Sequence, residues 1–181
     1  MSSLLNVSSS PHVRSRLTTG NVMGDVCVAL LPATAAGVYH FGIPALTTIL
    51  ISVVTAVLTE FVFDIIAKRG PTYRDGSAVV TGLLLALCLS PTVPFYIPLL
   101  GSLFAILFVK CFFGGLGKNF MNPALAGRCF LLISFSSTMT NYRYSDAVSS
   151  ATPLVNLLGQ KTVNLTEMFL GNGSATGVIG C

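Results

Sequence analysis

The stretch IPALTTILISVVTAVLTEFVFDII, residues Ile43–Ile66, decides the fold. It holds no basic residue and no glycine, and as a helix rising 1.5 Å per residue it reaches about 36 Å, enough to cross a hydrocarbon layer of about 30 Å. Its only charges are Glu60 and Asp64, four residues apart and therefore on one helical face. A bilayer is the environment this run is built for.

The composition of the whole chain agrees. Of 181 residues, 52% are hydrophobic and 9% charged, against roughly 25% charged in soluble domains, and the mean hydropathy is +0.79. The net charge of +4 comes from basic residues scattered among apolar segments, so it marks topology and not a nucleic-acid surface. Cys27, Cys88, Cys111, Cys129 and Cys181 form no CxxC or Cys/His group and read as small hydrophobes, with a ligand role for Cys27 or Cys111 in a cluster shared with another subunit left open. His12 and His40 have no partners at ligand spacing. The N-terminus places its arginines after a short apolar patch, which is not the order of a cleavable signal.

Outward from Ile43–Ile66, an earlier apolar run, Val26 to Phe41, recruits Val22 and Met23 and pairs with it as a hairpin turning at Gly42 and Pro44. A third run, Ala78 to Leu89, is too short to span before Ser90, Pro91 and Pro94, so a broken or tilted helix is expected, with Asp75 or Ser77 as its N-cap and Thr81 and Gly82 as a small packing face. The fourth covers Phe95 to Phe113. The fifth begins with Asn122 as N-cap and Pro123 at N1 and ends near Phe135. Interrupted segments are tolerated in a membrane where protein or a polar cavity satisfies their backbone, which hints at a site near the midplane. The expectation is an all-α polytopic membrane protein of about five helices, some broken, with residues 1–21 cytoplasmic, 22–137 in the membrane and 138–181 extracytoplasmic.

Charge supplies that orientation. Arg14, Arg16, Lys68, Arg69, Arg74, Lys110, Lys118 and Arg128, eight of the ten basic residues, fall on one side of a five-pass arrangement, while the loops at Gly42 and Pro91–Pro94 carry no charge. The positive-inside rule makes the basic side cytoplasmic. The chain closes with GNGSATGVIGC, an apolar start that reads as a further helix in a partial chain.

Several stretches have two readings. Glu60 and Asp64 read as ion- or proton-handling acids, or as interfacial acids with Asp64 paired to Lys68 or Arg69. FGGLGKNFMNPALAG, Phe113–Gly127, reads as a ligand-facing break or as a tight link; it lacks the Gly-Lys-[Ser/Thr] ending of a P-loop. DAVSSATPL, Asp146–Leu154, gathers Ser149, Ser150 and Thr152 near one carboxylate, with Pro153 biasing Thr152 to extended backbone. It reads as an acceptor for modification by another enzyme or as an ordinary polar loop.

In order, SPHVRS (Ser10–Ser15), DGSAVVTGLLLAL (Asp75–Leu87), KCFFGGLGKNFMNPALAGRCFL (Lys110–Leu131) and DAVSSATPL resemble the RnfD family, the membrane flavoprotein subunits of Rnf complexes, and their relatives in the sodium-pumping NADH:quinone oxidoreductase. The resemblance runs from Ser10 onward and covers the first half or somewhat more of such proteins. It implies one half of an inverted repeat of the urea and ammonium channel kind. It also implies covalent FMN on the threonine of an Asp-x-x-[Ser/Thr]-Gly-Ala-Thr pattern, attached by a flavin transferase. The matching residues here are Asp146, Ser149, Ser150 (where glycine is usual), Ala151 and Thr152, with Thr152 the attachment site. The implied role is an electron-transferring subunit, not catalytic alone, of a translocase in a bacterial or archaeal cytoplasmic membrane. It would couple ferredoxin:NAD electron transfer to Na+ or H+ movement beside other Rnf-type subunits. A second, non-covalent flavin such as riboflavin is left open. The competing expectation is a channel or secondary transporter with broken helices and no redox centre.

Overall fold

The computed structural model describes residues 18–68, 70 and 72–140. Thr18 opens α1 (Thr19–Phe41) as an N-cap, its hydroxyl accepting from the Asn21 amide, and Gly42, at φ +67°, turns the chain into α2 (Ile43–Ile66). A 3-10 turn, Thr72–Asp75, leads to α3 (Ser77–Leu87). Helix α4 (Tyr96–Phe104) runs on as a π-helical segment, Ala105–Cys111, and is followed by α5 (Pro123–Ser134) and the short α6 (Ser136–Thr140). There is no strand among the described residues.

Two helices, α1 and α2, are long and apolar enough to cross a membrane; α3, the α4–π unit and α5 are shorter apolar helices. The expected runs are therefore present, with α1 beginning before Val22 and α5 beginning as expected. The Asn122 side chain accepts from the Ala124 amide at 3.0 Å, and Pro123 needs no amide partner of its own. The expected cap of α3 is corrected. Gly76, in a left-handed conformation and with no side-chain cap bond, precedes the helix, while Asp75 belongs to the 3-10 turn and the Ser77 hydroxyl is engaged elsewhere.

The hydroxyls in α2 explain how an apolar helix carries threonines. Thr48 donates to Pro44 O at 3.0 Å and Thr59 to Thr55 O at 2.7 Å, so these two hydroxyls are satisfied within their own helix. Helix α2 packs on α3 through Gly82, where a methyl group would meet Val53 Cα at 2.9 Å and Ser52 O at 3.0 Å. Backbones approach this closely only over small residues, the packing mode of membrane helices. Beside this crossing Ser52 donates to Gly82 O at 2.7 Å and lies 2.8 Å from Ser102 Oγ, which in turn reaches Pro98 O at 2.7 Å. The chain of contacts ties α2, α3 and α4 together.

The apolar interior has three parts. Ala45, Ile49, Leu83, Ala86 and Leu87 join α2 to α3 with Leu30 and Val38 of α1 against them. Leu85, Leu89, Ile97, Ala124 and Leu131 join α3, α4 and α5. Ala56, Ala78, Ile106 and Cys111 pack where α2, α3 and the π segment meet, directly beside the polar cluster described next.

Candidate functional site

Glu60 lies six residues before the end of α2, about 9 Å along the helix axis, and Asp64 lies one turn nearer the end. Both are buried. The expected shared face is real, and a single residue from the next segment bridges it. Thr72 donates its amide to Asp64 Oδ2 at 2.9 Å, and its hydroxyl stands 2.9 Å from both Asp64 oxygens and 3.0 Å from Glu60 Oε1. One hydroxyl hydrogen serves one acceptor at a time, so Thr72 can turn between the two acids. Of the residues named as interfacial partners for Asp64, Lys68 is exposed and Arg69 lies outside the described residues.

Glu60 has a partner from 50 residues away. The Lys110 ammonium donates to Glu60 Oε1 at 2.5 Å and to Ser77 Oγ at 2.7 Å. The side chains of the pair are 2% and 1% exposed. By sequence alone Lys110 falls in a basic cytoplasmic link; the structure corrects this, since the residue sits inside the π segment and faces the bundle. The signal that could have found it is local: in LFVKCFF the lysine stands among apolar residues on both sides, and a buried ammonium requires a counter-charge. Thr72 and Ser77 carry no comparable signal.

The helix is unwound where it carries this lysine. Phe112 N bonds Leu107 O at 3.1 Å and Gly115 N bonds Lys110 O at 3.0 Å, both i to i−5. Such π turns recur at functional sites. The GGLG link that follows has Gly114, Gly115 and Gly117 at φ between +84° and +104°, backbone that side chains rarely adopt. Asn119, just beyond it, lines a cavity together with Lys110 and Ser77. The cavity has a volume of about 310 Å³, with Met23, Thr81 and Asn122 also among its walls. The link is thus a wall of a polar cavity as well as a connection.

Two buried polar atoms in this region, Glu60 Oε2 and Asn119 Oδ1, have no hydrogen-bond partner among the described residues. No group of His, Cys, Asp or Glu able to hold a metal occurs among the described residues. The five residues of the expected attachment motif, Asp146, Ser149, Ser150, Ala151 and Thr152, lie outside the described residues.

The comparisons with known proteins bear on this membrane bundle as a whole. The chain is 46% identical over 182 residues to the D subunit of the Na(+)-translocating ferredoxin:NAD(+) oxidoreductase complex of Acetobacterium woodii, covering 97% of this chain and 57% of that protein. It is 42% identical over 176 residues to the D subunit of the proton-translocating ferredoxin:NAD(+) oxidoreductase complex of Clostridium ljungdahlii, covering 94% of this chain and 53% of the relative. Against the D subunit of the ion-translocating oxidoreductase complex of Vibrio cholerae the identity is 41% over 138 residues, 75% of this chain and 40% of the relative. The chain spans about half the length of these curated relatives. The model of the NQR2, RnfD, RnfE family matches residues 6–181, taking in the long helices, the buried acid–lysine pair and the glycine-rich link alike. With that match running through nearly every residue, the chain belongs to the NQR2, RnfD, RnfE family.

Proposed function

We propose that this protein is an electron-transferring flavoprotein subunit of a membrane complex that couples ferredoxin:NAD+ electron transfer to translocation of Na+ or H+. The observation that carries this reading is the similarity along nearly the whole chain to relatives named as D subunits of such complexes, joined to a charged cluster buried within an apolar bundle. Charge inside a membrane protein is costly and is retained where ions or protons pass. Glu60 and Asp64 are the acids of that path, and Thr72 links them.

Thr152 is the residue we propose to carry FMN, through a phosphoester at its Oγ1. What supports it is residue chemistry: a hydroxyl acceptor followed by Pro153, preceded by the small Ser150 and Ala151 and by Asp146 and Ser149. The bound flavin would supply one- or two-electron transfer, and the chain's part is to hold it outside the cytoplasm and to keep the membrane sealed beneath it. A flavin transferase attaches the group, and the other subunits of an Rnf-type complex supply its electron donor and acceptor. Riboflavin is a second, non-covalent flavin to be sought in the same preparation. The helices form one five-pass half of an inverted repeat in a bacterial or archaeal cytoplasmic membrane, with the N-terminus inside.

The short α3 and α5 and the open cavity favour a second reading, a channel or secondary transporter without a redox centre. In-gel flavin fluorescence after denaturation separates the two, on protein made in a host that contains the flavin transferase. A fluorescent band that disappears in Thr152→Val is expected. A dark wild-type band overturns the flavoprotein reading.

A further inference from the structure

The two oxygens of Glu60 are treated differently. Oε1 holds the Lys110 ammonium and lies within reach of Thr72, whereas Oε2 is buried with no partner among the described residues. A buried carboxylate oxygen left without a donor is costly, and it marks a place where a cation or a proton would be welcome. The second orphan, Asn119 Oδ1, belongs to a residue lining the cavity that Lys110 and Ser77 also line. It is an acceptor waiting for a donor. Lys110 has three hydrogens on a flexible four-carbon stem and donates to Glu60 and Ser77.

We infer that Lys110 is a positioning residue for ion translocation, a tethered cation with two seats, Glu60 Oε1 when the carboxylate carries no transported ion and Asn119 Oδ1 when it does. This rests on the reading of Glu60 as part of the ion path. One carboxylate in a poorly polarisable interior stabilises one adjacent cation; a second beside it meets like-charge repulsion that water does not screen. Loading of Glu60 is therefore an exchange in which the arriving ion enters at Oε2 and the ammonium leaves toward the cavity. Ser77, bonded to the ammonium and lining the cavity, is the pivot. Release is the reverse, with the lysine driving the ion off. The buried carboxylate is never bare in either state, and in the loaded state the displaced ammonium is held by a neutral amide oxygen at the polar cavity and not by a counter-charge. The charged groups facing Glu60 are Lys110 from the π segment and Asp64 from its own helix, with Thr72 and Ser77 as neutral neighbours.

The test uses the whole complex in liposomes, driven by reduced ferredoxin and NAD+. Uptake of whichever ion the wild type moves is followed with 22Na+ or a pH-sensitive dye as a function of that ion's concentration. Lys110→Met removes the competitor, so the half-saturating ion concentration falls about tenfold and the maximal rate falls with it. Asn119→Ala removes the second seat and raises the half-saturating concentration about tenfold, the size expected for one hydrogen bond to a charged group. A purely structural role for Lys110 lowers the amount of complex and moves neither concentration. Shifts in the same direction, or no shift in either variant, overturn the exchange. If Lys110→Met does not assemble, the Asn119→Ala shift decides alone. Glu60→Gln isolates the premise: uptake that survives it sinks the reading of Glu60 as an ion-path residue, whereas uptake lost in Glu60→Gln with unmoved Asn119 and Lys110 variants sinks the exchange only.

Discussion

A lysine flanked by Val109 and Cys111 in an apolar helix is tolerable because a carboxylate is built against it. The partner tells more about Lys110 than its own position does. Truncating one member of a buried pair leaves the other charge unpaired and costs about 3–5 kcal/mol, while neutralising both removes the charge and its penalty together. Lys110→Met is expected to lower the unfolding temperature of the purified complex in detergent, and Glu60→Gln combined with Lys110→Met to recover most of the loss. Equal and additive losses in the two single variants would mean that the pair is not a unit. Glu60 and Asp64 are legible in the sequence because four-residue spacing is a local property. The Glu60–Lys110 contact is not, since it spans 50 residues and depends on how α2 and the π segment meet.

At the scale of elements, the ends of helices are readable wherever their chemistry is local. Asn122–Pro123 announces α5 by a side chain that accepts and a ring that lacks an amide. The start of α3 misleads for a physical reason: Ser77 looks like a cap, but its hydroxyl is occupied by Lys110, and left-handed Gly76 makes the turn instead. The π segment is invisible too, since its i to i−5 bonds leave no periodicity in seven residues. The small face at Gly82 is legible, and its function follows from the distances. Gly82→Ala would place a methyl group 2.9 Å from Val53 Cα and 3.1 Å from Ala56 Cβ, forcing α2 and α3 apart. The expected cost is about 1–3 kcal/mol, read as a lower thermal midpoint with unchanged helix content by circular dichroism.

For the molecule as a whole, two spanning helices and three shorter apolar ones follow from run lengths alone, and an acid–lysine cluster closing one end does not. With Lys110 inside the bundle, the orientation proposed above rests on the other seven basic residues that the charge count assigned to the cytoplasmic side, Arg14, Arg16, Lys68, Arg69, Arg74, Lys118 and Arg128. Single cysteines in place of Asn141 and Lys161 are therefore expected to react with a membrane-impermeant maleimide from outside intact cells, and one at Lys118 only after the cells are opened. Labelling of Lys118→Cys in intact cells would reverse the arrangement. Within this body the Ser52–Ser102 contact has a consequence for connectivity. Ser102 touches its own helix and Ser52, whereas Ser52 alone reaches both α3 and α4 from α2. Loss of the Ser102 hydroxyl severs one of those links and spares the other; loss of the Ser52 hydroxyl severs both. Two hydroxyl hydrogens serve these three contacts, so the link from α2 to α4 is a bond only while Ser102 releases Pro98 O or Ser52 releases Gly82 O, a tie that is shared and not permanent.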